Sequence, residues 1–341
     1  MKKFLMYAIN LQLFAELNTN VTTASALTPE MKTFYDMTLI DEASAELVHD
    51  QFGQKRPIPA NGGKTIEFRK FSSLPKATTA LTEGVTPDGG SLEVTNLEAT
   101  VSQYGYYIVQ SDILELTSID NTIVEATKVL GKQAGVTLDT IVRNVLQSGT
   151  NVNYCPKVAA DGKTTEVTSR AALDATSTLT VDVVKQVVAK LKAQNAPKIN
   201  GDYVAIIHPY VAYDLMSDPA WIEAHKYATP ENIYTGELGK IAGVRFVEST
   251  EAKIYTGEGC PSNLAVFGCL FFGDGAYGVT EVTGGGLQTI VKQKGSAGTA
   301  DPLDQRSSIG WKALKTAEIL IPNYLVRVEC CSKFSASAQA N

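Results

Sequence analysis

Apolar residues recur at three- and four-residue steps through Ile119, Ile123, Ala126, Leu130, Ala134, Leu138, Ile141 and Val145. That stripe predicts one amphipathic helix over residues 119–148, about 45 Å long at 1.5 Å per residue. Ser118 or Asp120 suits its start and Gly149 its stop. Gly131 and Gly135 stand one turn apart inside it. Each costs up to ~1 kcal/mol against Ala in an exposed helix. They fit either a tolerated weakness or a place of close packing or bending.

A period of two takes over elsewhere. Thr65 to Phe71 alternates apolar and charged residues and predicts a strand. Leu92, Val94, Leu97, Ala99 and Val101 alternate with polar residues on a return path, and Tyr104 to Gln110 is a second β-type run. Between them lies a Thr- and Ser-rich stretch with a turn at Pro87-Asp88-Gly89-Gly90. Residues 64–110 are thus too long for an ordinary loop and too thinly apolar for a core of their own. If ordered, they must lie on something else. Upstream, residues 1–60 read as an extended arm with short helices. Thr28-Pro29-Glu30 is a helix start, and Leu39, Ile40, Ala43 and Leu47 recur at helical spacing.

From residue 178 onward helices and strands alternate. Val181 to Ala193 is an amphipathic helix, Tyr203–Ile207 a buried strand, and Tyr210 to Met216 a helix opened by His208-Pro209. Further strands are expected at Val244–Glu248, Ala265–Phe267, Tyr277–Val282, Leu287–Val291 and Ile319–Val328. This order is α+β rather than a regular βαβ repeat. The small, polar end from Ser332 to Asn341 is expected to fray.

Composition narrows the function. With 341 residues, 44 % apolar and 19 % charged, the chain is globular and large enough for two domains or one elaborated domain. Lys and Arg number 30 against 36 Asp and Glu, a net charge of −6 without a basic block. Electrostatic nucleic-acid binding is therefore a poor expectation. Five Cys without a C-x-x-C pair make no disulfide scaffold, and Cys155, Cys260, Cys269, Cys330 and Cys331 are expected as free thiols. His49, His208 and His225 are too far apart for a paired metal motif. Gly273 to Gly278 matches G-x-G-x-x-G, but β-type residues Val279 to Thr283 follow where a dinucleotide site needs a helix. Gly63-Lys64-Thr65 and Gly162-Lys163-Thr164 lack the earlier glycine of a phosphate loop. No nucleophile motif accompanies His208 or His225, so the expectation is no enzyme, no cofactor and no metal. No run of roughly 20 apolar residues spans a membrane. The start, Met1-Lys2-Lys3 before apolar Phe4 to Phe14 with Ala24-Ser25-Ala26 beyond, imitates a secretory signal interrupted by Asn10 and Gln12. It leaves a second reading open, a secreted or surface β-rich adhesion protein.

Several segments carry a family resemblance. They are Asn10-Leu11-Gln12-Leu13-Phe14-Ala15-Glu16, Thr82-Glu83-Gly84 with Pro87, and Tyr107 to Leu114 ahead of the long helix. Gly239 to Ser249, and Asp301-Pro302-Leu303 with Gly310-Trp311-Lys312, complete the set. In this order the chain resembles the major capsid proteins of tailed bacteriophages, with the fold named for phage Hong Kong 97, and within them the branch named for coliphage N-four. The resemblance implies an N-terminal arm (1–63), an extended loop lying across a neighbouring subunit (64–110) and a peripheral domain with the spine helix (111–177). It further implies an axial domain (178–272), a return to the peripheral domain (273–331) and a C-terminal tail (332–341). Expected intersubunit contacts are Glu83, Gly84, Pro87, Asp88, Leu92, Val94 and Trp311. The implied partners are further copies, as hexamers and pentamers of an icosahedral shell, with scaffolding, portal and decoration proteins. Contact with packaged double-stranded DNA would be weak and non-specific, since residues 1–60 carry five Lys and Arg against seven Asp and Glu. The implied location is the virion, after assembly in the bacterial cytoplasm. Some relatives join subunits by an isopeptide bond from an extended-loop lysine, yet no Lys occurs from Ala77 to Thr127 here.

Overall fold

The computed structural model describes residues 37–341, except 44–45, 59–62, 72–73, 75, 82, 87–88, 119–121, 160, 229–238, 258, 262–263, 282–285, 297–300 and 335–340. The helix start expected at Thr28 lies outside the described residues. Helix α1 comprises residues 37–43. It is followed by β1 (Gln54–Lys55), β2 (Thr65–Phe71), β3 (Val94–Thr100), β4 (Ser102–Ser111), α2 (Asp112–Thr117) and the long helix α3 (Thr122–Gln147). Next come β5 (Val152–Tyr154), β6 (Lys157–Val158), β7 (Thr164–Thr165), α4 (Val181–Ala193), β8 (Tyr203–Ile207), α5 (Pro209–Met216) and α6 (Pro219–Ala228). The chain closes with β9 (Lys240–Ile241), β10 (Val244–Glu248), β11 (Ile254–Tyr255), β12 (Val266–Phe272), β13 (Tyr277–Glu281), β14 (Gln288–Lys292), β15 (Arg306–Ile319) and β16 (Leu325–Cys330).

Two sheets carry the molecule. In the five-stranded sheet, β4 pairs antiparallel with β15 from Ser102↔Lys315 to Ser111↔Arg306. β14 pairs with Ser308–Lys312 of the same strand and β13 with Lys315–Ile319, and β1 adds in parallel beside β13. The seven-stranded sheet runs β5-β16-β12-β8-β10-β9, with β11 also on β12. Its central strand β8 is buried on both faces. Tyr203, Ala205 and Ile207 join a core with Val184, Val187 and Leu191 of α4, while Val204 and Ile206 join a second core with Val142 and Leu146 of α3. A strand apolar at every position is what such two-sided burial requires.

The stripe on α3 serves both sheets. Leu130, Ala134 and Leu138 pack under Ile309, Trp311 and Ala313 of β15, and Val142 and Leu146 under the seven-stranded sheet. The two glycines mark close packing. A Cβ on Gly131 would sit 2.8 Å from the Leu39 carbonyl oxygen, and one on Gly135 2.4 Å from that of Ala43. The backbone of α1 lies directly on this face of α3.

One expected strand is corrected. Ile319–Val328 is two strands in two sheets, the end of β15 and most of β16, separated by the turn Pro322–Tyr324. Pro322 lacks the N–H a ladder needs, so a single strand cannot run through it. The 14-residue β15 was read only in part, and β16 pairs with β12 and β5 in the seven-stranded sheet rather than returning to the five-stranded one. All five cysteines are free. Cys330 and Cys331 do face opposite sides, Cys330 toward the α4 core and Cys331 toward Leu173 and Val266. Burial pushes the Cys331 thiol up to about 12, which keeps it protonated and inert.

Candidate intersubunit surfaces

The hairpin β2–β3 is in register from Thr65↔Thr100 to Phe71↔Val94. Only its base is packed: Phe68 and Ala99 are buried with Leu320, and Gly278 leaves room for the Phe68 ring. Beyond the base, apolar side chains stand in solvent, with Leu74 60 %, Leu81 77 %, Val85 63 % and Leu92 59 % exposed. Val94, at the end of the paired segment, is also exposed. Glu83 and Gly84 form an exposed turn, with Gly84 at φ +78°, a value that favours glycine. Pro87 and Asp88 lie outside the described residues. Trp311 is not a surface residue. It is 3 % exposed, and its Nε1 donates to Gln133 Oε1 on α3 at 2.7 Å. Its large ring fills the space between β15 and α3, and the residue also borders the groove on the opposite face of the sheet.

A second bare surface lies on the far face of the five-stranded sheet. Ile108 points to the α3 core, so its neighbours Tyr107 and Val109 point away, 69 % and 50 % exposed. Across the strands the outer rows read Tyr107–Gly310–Ile290 and Val109–Ser308–Lys292. Glycine at Gly310 lowers the floor between Tyr107 and Ile290. The result is a groove of about 380 Å³ lined by Gly105, Tyr107, Ile290, Lys292, Ser308 and Gly310 among others. Beyond it α2 buries none of its residues and exposes Ile113, Leu114 and Leu116. Sequence reading missed this surface. The signal was the unbroken run Tyr106-Tyr107-Ile108-Val109, apolar on both faces of a strand of which the described residues cover one face.

The two surfaces complement each other in charge. Residues 74–98 carry Glu83, Asp88, Glu93 and Glu98 against Lys76 alone. Lys292 and Lys312 stand on the outer face beside the groove. Two exposed apolar surfaces of opposite charge on one chain make a pair that copies can satisfy for one another.

A family profile described as phage capsid protein matches residues 114–277. The capsid of Ralstonia phage GP4 superposes with a TM-score of 0.65 at 16 % identity, covering 94 % of this chain and 97 % of that one. The capsid protein of cyanophage Pam1 gives 0.61 at 13 % identity, covering 99 % and 100 %. That of cyanophage P-SCSP1u gives 0.61 at 15 %, covering 83 % and 87 %. No curated protein matches the sequence. Residues 114–277 of the chain are thus similar to phage capsid proteins. Over most of its length the fold is the Hong Kong 97 type of these phage capsids.

Other motifs of the chain have structural roles. Gly273 to Gly278 spans the turn from β12 into the start of β13, with Gly275 at φ +68° in the turn. Among the described residues no helix is long and apolar enough to cross a membrane. His208 caps α5: its Nδ1 accepts the Tyr210 N–H at 3.1 Å, and its ring rests on Phe267. Burial lowers its pKa below the ordinary 6.5. An imidazolium has no free acceptor, so protonation removes the cap. A His with a lowered folded value contributes stability that is complete above the unfolded value and lost as pH falls through the folded one. His208→Asn keeps a capping oxygen that does not titrate. The loss in urea midpoint between pH 7 and pH 5 should therefore be smaller in His208→Asn than in wild type. Equal losses would remove His208 as a source of acid sensitivity.

Proposed function

We propose that this chain is the major capsid protein of a tailed bacteriophage, assembling as hexamers and pentamers into an icosahedral shell around double-stranded DNA. The observation that carries the detail is the pair of bare surfaces. The hairpin leaves the body beside Leu320 at the end of β15, whereas the groove lies near Gly310 in its first half. About ten residues at ~3.4 Å each separate them, and among the described residues neither surface is covered. The hairpin of one copy therefore lies in the groove of the next, with Leu74, Leu81, Val85, Leu92 and Val94 on Tyr107, Val109 and Ile290. Glu83 and Glu93, with Pro87 and Asp88 nearby in the sequence, meet Lys292 and Lys312. Such a head-to-tail contact closes into rings or continues into larger arrays. Repetition lets individually weak contacts hold a shell. Assembly in the host cytoplasm fits the five free thiols. The motifs from Thr82-Glu83-Gly84 to Trp311 support the branch named for coliphage N-four. Scaffolding, portal and decoration proteins are partners by analogy with the family.

Electron microscopy of the expressed protein tests the reading. Closed shells, or rings of five and six, are expected; a monodisperse monomer at all concentrations would overturn it. The shell is also expected to lack covalent subunit links. The hairpin from Ala77 onward carries no lysine, and Asn96 occupies the returning strand, with its amide toward Glu67. Particles boiled in denaturing detergent should run as one band near 36.6 kDa. A surviving ladder of multiples would show a cross-link made from another lysine.

A further inference from the structure

The segment ahead of β1 is attached in an unusual way. Residues 37–43 and 46–50 run along α3, yet only Leu39 and Ala43 of their apolar side chains are fully buried. Polar groups do most of the holding. Asp139, in the middle of α3 and fully buried, accepts from the backbone N–H of Val48 at 2.9 Å and of His49 at 2.6 Å. Its second oxygen lies 2.6 Å from His49 Nδ1. The His49 ring is itself fully buried and its Nε2 has no partner among the described residues. Tyr277 donates its hydroxyl to the His49 carbonyl. Asp50 pairs with Lys315 of β15 at 2.8 Å, both side chains nearly buried. Three elements, α3, β13 and β15, thus grip two consecutive residues.

One turn earlier the same segment covers the glycine face of α3. Gly131 and Gly135 give that part of the helix low intrinsic stability. The Leu39 and Ala43 carbonyls fill the space where side chains would be. Without the segment, that stretch has neither side chains nor cover on this face.

We propose that residues 37–43 and 46–50 are a detachable splint for the centre of α3, locked by Asp139 through His49. Docked, the splint protects the glycine turns; released, it leaves them as the weakest part of the long helix. The position of the arm and the order of the helix beneath the five-stranded sheet are thereby coupled. This goes beyond the shell reading and is testable in unassembled protein.

Hydrogen exchange of the unassembled chain is the test, comparing wild type with Asp139→Asn and with Gly135→Val. Asp139→Asn removes the charge that the backbone donors and His49 share. Gly135→Val wedges a side chain into the Ala43 backbone without touching the polar node. Both variants should exchange about tenfold or more faster in residues 37–50. In Asp139→Asn, residues 128–136 should speed up with them, while α4 and β8 keep wild-type protection. Adding Glu46→Cys and Lys132→Cys, whose native side chains pair at 3.4 Å across the splint and helix, should restore protection under oxidising conditions and lose it on reduction. Wild-type exchange in residues 37–50 of both variants would overturn the lock. Fast exchange in residues 37–50 with an unchanged helix centre would overturn the splint. Uniform acceleration over the whole chain would show a node of global stability instead.

Discussion

Replacing residues 72–93 by Asn-Gly should give a folded, soluble protein that makes no shells. Phe71 and Val94 are opposite one another at the end of the β2–β3 ladder, so a two-residue turn joins them in register. The buried base, Phe68 and Ala99 against Leu320, is untouched. All that leaves is the stretch that is bare in the single chain, with Leu74, Leu81, Val85 and Leu92. A shell multiplies each contact many times, so loss of one repeated contact acts on every subunit. Sedimentation and electron microscopy should show monomers with a thermal transition close to wild type. Shells at wild-type yield would mean that the hairpin is not what joins the copies. A milder version, Tyr107→Glu, puts a like charge opposite the acidic hairpin and should lower the yield in the same direction.

The largest effect on the single chain is expected from Glu329→Ala. Glu329 is fully buried on β16. Arg170 donates to both its oxygens, at 2.7 and 2.6 Å, and Arg327 Nε lies 3.0 Å from one of them. The hydrogen bonds to Glu329 hold the Arg170 guanidinium above its ordinary pKa, and its Cζ lies 3.6 Å from the Tyr255 ring centre. Arg327 also donates to the Gln147 carbonyl at the end of α3. Removing the carboxylate leaves two arginines without their acid in a partly buried site. Breaking such a pair from one side costs about 3–5 kcal/mol. The urea midpoint of unassembled Glu329→Ala should fall by a corresponding amount, and Glu329→Gln should recover only part of it. A change within about 0.5 kcal/mol, the range of ordinary surface substitutions, would mean that the arginines find water or other partners without loss.

Local pattern gave much of the fold. Val181–Ala193, Tyr203–Ile207, Val244–Glu248 and Thr65–Phe71 form as their residues predict, because the 3.6- and 2-residue periods report directly which side of an element is buried. The long helix was readable for the same reason, to within a few residues at its start. The thinness of the hairpin was readable too, since apolar content alone says whether a segment can make its own core. The family resemblance added an expected domain order.

Other features depend on which segments meet, and spacing along the chain does not carry that. Gly131 and Gly135 look like weak points until the backbone of residues 37–43 is found lying on them. That the Trp311 ring packs on α3 is seen only once β15 is placed over that helix. Tyr107 and Val109 read as ordinary strand residues until the sheet is seen with one face uncovered. His49, Asp139, Asp50 and Lys315 are unremarkable singly, and 90 residues separate His49 from Asp139. The sequence therefore sets the elements and their buried faces, because those depend on neighbours within one or two turns. The glycine contact, the buried polar lock and the groove arise between distant segments, and only the packed chain brings those segments within hydrogen-bonding or van der Waals reach.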